Sequence, residues 1–518
     1  MFPTYKIALR CRDFLKKYSS IAGVPVRIVQ LSTPNVSSDS SYPRCRISAV
    51  FFPESEFGVA KSYWQHTGEG VSSRMAEYFL ARLNSPTNSP KVPNGSSRSS
   101  NPPTKPPATK QSYQDHHRRR SSSASIDLPS SDFTNEQEGK EEESRFVEER
   151  FGRNLDLSFA PEAKMALRRR IAGKIIEGSA QASHGKVDAL SDEDVYLYPT
   201  GMTSIFQAHQ ILLRARADQG SLKTVCFGFP YIDTLKILQK FGPGAHFFGI
   251  GETEDLEKLK ALLESGEKIL ALFCEFASNP LLKSPDLKNL RRLADKYDFA
   301  IVVDETVGNF LNIHVLPYAD IVVSSLTKVF SGDSNVMGGS LVLNPHRKYF
   351  YKLKEALSVL YEDYFWSEDA IYLERNSRDF AERNVKINKN AVSVVNLLSE
   401  SPLIKTTYYP MVSPTKVHYD ACRVEGGGYG GLLSVVFHSP KQAKVFFDTI
   451  HTAKGPSLGT NFTLTSPYAV LAHYNELDYV ESFGVDRNLI RMSVGLEDPD
   501  QLKKVLHEAL LEAERAGP

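Results

Sequence analysis

Six short apolar runs, each separated from the next by an amphipathic stretch, constrain this chain more than any other feature. They are VYLYP (195–199), TVCFGF (224–229), AHFFGI (245–250), ILALFCEF (269–276), FAIVVDE (299–305) and DIVVSS (320–325). Helical patterns lie between them, over 203–217, 231–241, 254–265 and 286–297. Runs of Val, Ile, Leu and Phe without polar alternation belong to strands covered on both faces, and strands that alternate with helices form a parallel sheet. Ligands of such sheets bind outside the carboxyl ends of the strands, so chemistry is expected in the residues just after each run.

The rest of the chain is organised around that block. From Tyr349 the pattern changes to long charged helices (349–362 and 367–400), shorter strands (TTYYP, LLSVVF, LIRMSV) and a last helix over 499–514, which reads as a smaller α+β domain spanning 349–518. Before the block, residues 84–145 are dominated by Ser, Pro, Asn and charge, with Arg118-Arg119-Arg120 opposed by Glu141-Glu142-Glu143. Such a segment cannot bury enough surface to offset its ordering entropy and is expected to be a disordered linker. The arginine run also makes Ser121 or Ser122 a candidate for a basophilic kinase, and the run itself a candidate nuclear-localisation patch. Residues 1–83 form a partly folded N-terminal extension. RISAVFF reads as a strand, and YWQHTGEGVSSRMAEYFLARL as a turn followed by a helix from near Ser72. No chemistry is legible in that extension.

Composition excludes several classes. Lys plus Arg number 62 and Asp plus Glu 61, a net charge of +1, so the chain has no overall basic field for nucleic acid. The five cysteines have no C-x-x-C spacing and no ligand-like spacing to histidine, which points away from a metal site and a disulfide framework and towards a cytoplasmic setting. No apolar run approaches the ~20 residues that span a bilayer. The first thirty residues are basic without a signal-peptide core, leaving a mitochondrial presequence as the weaker reading.

The strand ends carry a consistent set of groups. After the first run, Pro199-Thr200-Gly201-Met202-Thr203 opens a helix, and a glycine there lets backbone N–H groups approach an anion. The fourth run leads to Glu275-Phe276-Ala277-Ser278-Asn279 and the fifth to Asp304-Glu305-Thr306. The sixth leads to Ser324-Ser325-Leu326-Thr327-Lys328. A phosphate cradle, a carboxylate for a protonated pyridine nitrogen and an amine able to attach covalently are the parts that pyridoxal 5′-phosphate needs.

On SSLTKVFSGDSNVMGG (324–339), VVDET (302–306), EFASNPLL (275–282), TGM (200–202) and IRMSVGLEDPDQL (490–502), residues 146–518 resemble the Cys/Met-metabolism family of pyridoxal-phosphate enzymes, and within it the fungal-type cystathionine gamma-synthases. The resemblance implies the aspartate-aminotransferase fold type: a large, mostly parallel-sheet cofactor domain over 146–348 with an N-terminal interface arm, and the C-terminal α+β domain. It implies that Lys328 holds the cofactor and moves protons and that Asp304 pairs with the ring nitrogen. Gly201, Met202, Ser325 and Thr327 would bind the phosphate, and Tyr231 would stack on the ring. Asn279 would lie near ring and substrate, Arg491 would clamp the substrate carboxylate, and Ser457 would line that side of the pocket. The family's Tyr-x-Arg, which reaches a neighbouring subunit's phosphate, is Phe151-Gly152-Arg153 here. Arg153 keeps the charge, whereas Phe151 has no hydroxyl. Its Asp-Asn-Thr is Asp304-Glu305-Thr306, and a frequent acid is Phe462.

The activity so implied is a γ-replacement that joins an O-acylhomoserine to cysteine to form cystathionine, in a homodimer or homotetramer with shared sites. A cystathionine lyase or an O-acylhomoserine sulfhydrylase would use the same residues. A catalytically silent regulator of the same fold is the alternative of another class.

Overall fold

The computed structural model describes residues 1–34, 44–83, 156–181 and 190–518. The 84–145 linker, Ser121 and Ser122, and Phe151 and Arg153 of the arm lie outside the described residues.

The N-terminal block begins with helix α1 (Tyr5–Tyr18), whose N-cap Thr4 accepts the Ile7 N–H. Strands β1 (Arg27–Ser32) and β2 (Arg46–Phe51) pair antiparallel. Helix α2 (Phe57–Thr67) and helix α3 (Ser73–Leu83) follow. The stretch YWQHT, expected as part of a turn, is the end of α2. Its polar residues are helix-compatible, and the stop is Gly68, which adopts φ +64° as the left-handed C-cap. Phe2, Ile7, Phe14, Leu15 and Tyr63 form a small core that continues into Phe241 and Tyr364 of the main body.

The main body carries helix α4 (Ala160–Gln181) and then strands β3 (Val195–Tyr198), β4 (Lys223–Phe227), β5 (Ala245–Phe248), β6 (Ile269–Glu275), β7 (Ala300–Asp304), β8 (Ile321–Ser324) and β9 (Gly339–Leu343). Among the described residues they form one sheet in the order β3-β9-β8-β7-β6-β4-β5. The six expected strands run in one direction. The seventh, β9, was not expected and is reversed, pairing antiparallel with both β8 and β3. Helices α5 (Gly201–Ala215), α6 (Ile232–Lys240), α7 (Thr253–Glu264) and α8 (Leu287–Tyr297) occupy the expected intervals to within two residues. The sheet is buried on both sides. Leu272, Val303 and Val322 enter one apolar cluster, and Ala271, Val302 and Val323 the other. Burying each Val or Leu contributes roughly 1.5–3 kcal/mol, which is why these strands show no polar alternation.

The C-terminal part is α+β, as expected. Strands β10 (Ile404–Tyr408), β11 (Leu432–Phe437), β12 (Ala453–Lys454), β13 (Leu464–Pro467) and β14 (Ile490–Ser493) form a sheet in the order β10-β11-β14-β13-β12. The long 367–400 pattern is two helices, Ser367–Asn376 and Phe380–Glu400, and the last helix is Pro499–Arg515. Among the described residues no helix is long and apolar enough to cross a membrane.

Candidate active site

Five strand ends of the first sheet, and the central strand and loops of the second, supply the groups. Thr200 is the N-cap of α5, its Oγ1 accepting the Thr203 N–H at 3.0 Å. The N–H groups of the first turn have no acceptor within their own helix, and the helix dipole places partial positive charge there. Gly201 is required at this point: a Cβ on it would stand 2.5 Å from Ser325 Cβ. The turn after β3 and the turn after β8 therefore meet backbone to side chain. Gly339 of the reversed strand closes the same corner, since a Cβ there would meet the Thr200 carbonyl oxygen at 2.2 Å.

Lys328 lies in the turn after β8, and its Nζ donates to Ser457 Oγ at 3.1 Å. Burial, together with the Arg491 guanidinium, lowers its pKa to about 8. A substantial fraction of this amine is neutral near pH 8, which ordinary lysines are not. Thr327 Oγ1 accepts the Gly338 N–H at 3.1 Å and donates to the Gly338 carbonyl at 3.3 Å, tying the lysine turn to the start of β9.

Asp304 ends β7. Its Oδ1 accepts the Thr306 hydroxyl at 2.6 Å and the Thr306 N–H at 3.0 Å, and the same hydroxyl accepts the Ser325 N–H at 2.8 Å. Burial raises the pKa of Asp304, against those two hydrogen bonds, and no cation forms an ion pair with it among the described residues. Such a carboxylate is suited to a protonated ring nitrogen, which would supply the missing charge.

Arg491 is no edge residue. It sits on β14, the middle strand of its sheet, and is only 2% exposed. Its guanidinium donates to Asn279 Oδ1 at 2.9 Å, to the Ser457 carbonyl at 2.9 Å and to the Pro456 carbonyl. It also lies 4.5 Å from the centre of the Tyr468 ring. Burial lowers its pKa to about 10, and among the described residues no carboxylate forms an ion pair with it. A buried guanidinium without an anion is a ready seat for a ligand carboxylate.

Three further residues complete the arrangement: Glu275 and Thr306 stand in the strand-end motifs quoted from the sequence, whereas Tyr468 does not. Glu275 ends β6 beside Asp304 in register. Its carboxylate accepts the Asn279 N–H at 3.1 Å and the Tyr231 N–H, so one acid holds the two loops that carry those residues. Burial, with the Asp304 charge beside it, raises its pKa above the ordinary carboxylate range. Tyr468 OH accepts the Asn279 amide at 3.3 Å, and Thr306 links Asp304 to Ser325. Tyr231 stands at the N-cap of α6 and is 40% exposed, leaving its ring open to a ligand. Phe462 is also exposed. The residues present fit a pyridoxal phosphate: a helix-start cradle, a half-buried acid and a buried arginine, neither with an ion-pair partner among the described residues, and a neutralisable lysine lie together. Among the described residues no group of three or more His, Cys, Asp and Glu is arranged to hold a metal ion.

The family model of the Cys/Met metabolism PLP-dependent enzymes matches residues 184–511, and that of the fungal trans-sulfuration enzyme N-terminal domain matches residues 1–72. A cystathionine gamma-synthase of Neurospora crassa is 48% identical over 99% of this chain and 86% of its own length. One of Saccharomyces cerevisiae is 41% identical over 99% and 88% respectively. The crystal structure of a cystathionine gamma synthase from Xanthomonas oryzae pv. oryzae, in complex with aminoacrylate and cysteine, shares the fold. Its TM-score is 0.55 at 22% identity, covering 67% of this chain and 86% of that one.

Proposed function

This chain belongs to the Cys/Met-metabolism family of pyridoxal-phosphate-dependent enzymes, and from that membership we propose that it makes cystathionine from an O-acylhomoserine and cysteine. In the net reaction the Cγ–O bond of the acylated homoserine breaks and a Cγ–S bond to cysteine forms. The acyl group departs as a carboxylate and the thiol proton is released. The observation that carries the reading is the pairing of Lys328 and Arg491 on either side of Ser457, which places a proton-accepting amine beside a carboxylate seat.

The bound cofactor supplies an electron sink for charge developing at the substrate's Cα. The chain supplies position and protons. Gly201 and Met202 N–H groups with the Ser325 hydroxyl take the phosphate. Thr327 joins them by releasing the longer of its two bonds to Gly338. Asp304, steadied by Thr306, would pair with the ring nitrogen, and Tyr231 would hold the ring. Arg491 and Asn279 orient the substrate carboxylate, so that the Cα–H faces Lys328 Nζ, which takes the proton while Ser457 Oγ fixes its direction. Transfer of a proton to a positioned base of near-neutral pKa is what general base catalysis requires. The exposed Phe462 offers an apolar surface beside the pocket-lining Ser457 loop.

The working assembly under this reading is a homodimer or homotetramer with shared sites, Arg153 reaching a partner's cofactor, in the cytoplasm. The five unpaired cysteines accord with a reducing compartment. The test is a substrate panel on purified holoenzyme. Cystathionine should form from O-acetyl- or O-succinylhomoserine with cysteine faster than sulfide is incorporated or cystathionine is cleaved. Lys328→Ala should lose both turnover and the visible cofactor band; full turnover in that variant would sink the assignment.

A further inference from the structure

The N-terminal block touches the cofactor cradle. Gly68 closes α2, and a Cβ built on it would stand 2.2 Å from Thr200 Oγ1, 3.0 Å from Thr203 Oγ1 and 3.2 Å from Met202 Cβ. Those three residues are the N-cap and first turn of α5. One face of that turn thus rests on the main chain of the block, while Gly201 rests on Ser325.

The next residue, Glu69, has a fully buried side chain. Its carboxylate takes hydrogen bonds from four separate segments: Arg10 of α1 at 2.5 Å, Tyr63 of α2 at 2.9 Å, Gln207 of α5 at 2.8 Å and Tyr364 at 3.0 Å. A buried carboxylate deprived of a donor is costly, so the set holds together as a unit. Gln207 lies on the same helix as Gly201, under two turns along. Glu69 thereby fixes where α5 sits against the block, and Gly68 fixes how close its first turn stands.

We propose that the Gly68–Glu69 step is a positioning element for the cofactor phosphate. It holds the first turn of α5 where the Gly201 and Met202 N–H groups meet a phosphate dianion without further rearrangement. The proposal rests on the cradle assignment made above. It gives residues 1–83 a role in the site itself, through Thr200 and Met202 rather than by direct contact with the reacting atoms.

A merely structural role and a positioning role differ in what they do to phosphate recognition. Full-length apoenzyme is titrated with pyridoxal 5′-phosphate and, separately, with pyridoxal, which lacks the phosphate. Glu69→Gln should weaken the phosphorylated ligand by about tenfold, the scale of one misaligned charge-assisted contact, and change pyridoxal binding by less than about twofold. Tyr364→Phe, a milder change that removes one donor, should move the ratio in the same direction by less. Gly201→Ala, which alters the cradle directly, should reproduce the pattern. Equal weakening of both ligands, or no change in either, in folded Glu69→Gln and Tyr364→Phe overturns the proposal while leaving the cradle intact. An unchanged ratio in Gly201→Ala overturns the cradle assignment itself.

Discussion

Arg491 carries a full charge on the central strand of the second sheet while only 2% exposed. The family resemblance over IRMSVG proposes Arg491 as a carboxylate clamp, and its distinguishing property is positional: a guanidinium in the middle of a sheet, with neutral oxygens for partners. A flexible point charge cannot reproduce that planar fork. Arg491→Lys should raise KM for the acylated substrate by about 10- to 100-fold, with a smaller effect on kcat, as expected for loss of roughly 1.5–3 kcal/mol of charge-assisted bonding. Steady-state kinetics checks this, and an unchanged KM would remove Arg491 from the carboxylate seat. Lys328 and Asp304 draw attention in the sequence for a simple reason: Asp304 ends a buried apolar strand and Lys328 lies in the turn that follows one, and charged residues there need a purpose. Glu275 also stands at such a strand end, but its partners, the Tyr231 and Asn279 N–H groups, and the part of Tyr468, which meets the Asn279 amide, come together only on folding. The lowered pKa of Lys328 has a sign that can be tested. The neutral amine is the form that attacks the cofactor aldehyde, so capture of added cofactor by apoenzyme should accelerate with rising pH through a midpoint of about 8. A midpoint near the ordinary lysine value of ~10.4 would contradict the burial argument.

Elements were legible where one periodicity ran long enough. The four helices between the parallel strands and all six of those strands were placed from apolar patterning. The strand β9 was missed because it follows the glycine-containing lysine loop with no helical stretch to set it off, and its reversed direction comes from pairing between β3 and β8, which no local pattern encodes. The 367–400 stretch carried one uninterrupted helical pattern, yet it breaks at Ser377, whose Oγ accepts from Arg170 of α4 at 2.6 Å and donates to the Leu373 carbonyl at 2.8 Å. Tertiary contact prevailed over local propensity there. Helix ends offer a clean energetic test. Asp286 caps α8, accepting the Asn289 N–H at 3.0 Å. Asp286→Ala should lower stability by about 1 kcal/mol in urea unfolding, with activity at low denaturant preserved. An unchanged midpoint would mean that the cap is replaced by solvent.

At the scale of the whole molecule, the thiol chemistry of the proposed reaction belongs to the substrate. Cys11, Cys45, Cys226, Cys274 and Cys422 are all buried and unpaired, and burial raises the pKa of each. Thiolate, the reactive form, is thus scarce in the folded protein. A chromogenic disulfide reagent should label native protein slowly and all five thiols at once in denaturant; a rapidly reacting native thiol would be inconsistent with this packing. Lys328 and Arg491 extend the argument across the molecule, because they stand on different sheets, one in the turn after β8 and the other on β14. Their mutual repulsion lowers the proton affinity of the lysine. An anion settling on the arginine relieves that repulsion, so the lysine binds its proton more tightly, and by reciprocity a protonated lysine strengthens the hold on the anion. Carboxylate arrival and proton occupancy are therefore thermodynamically linked, and small carboxylate buffers should act on this enzyme as weak effectors of its acid–base state.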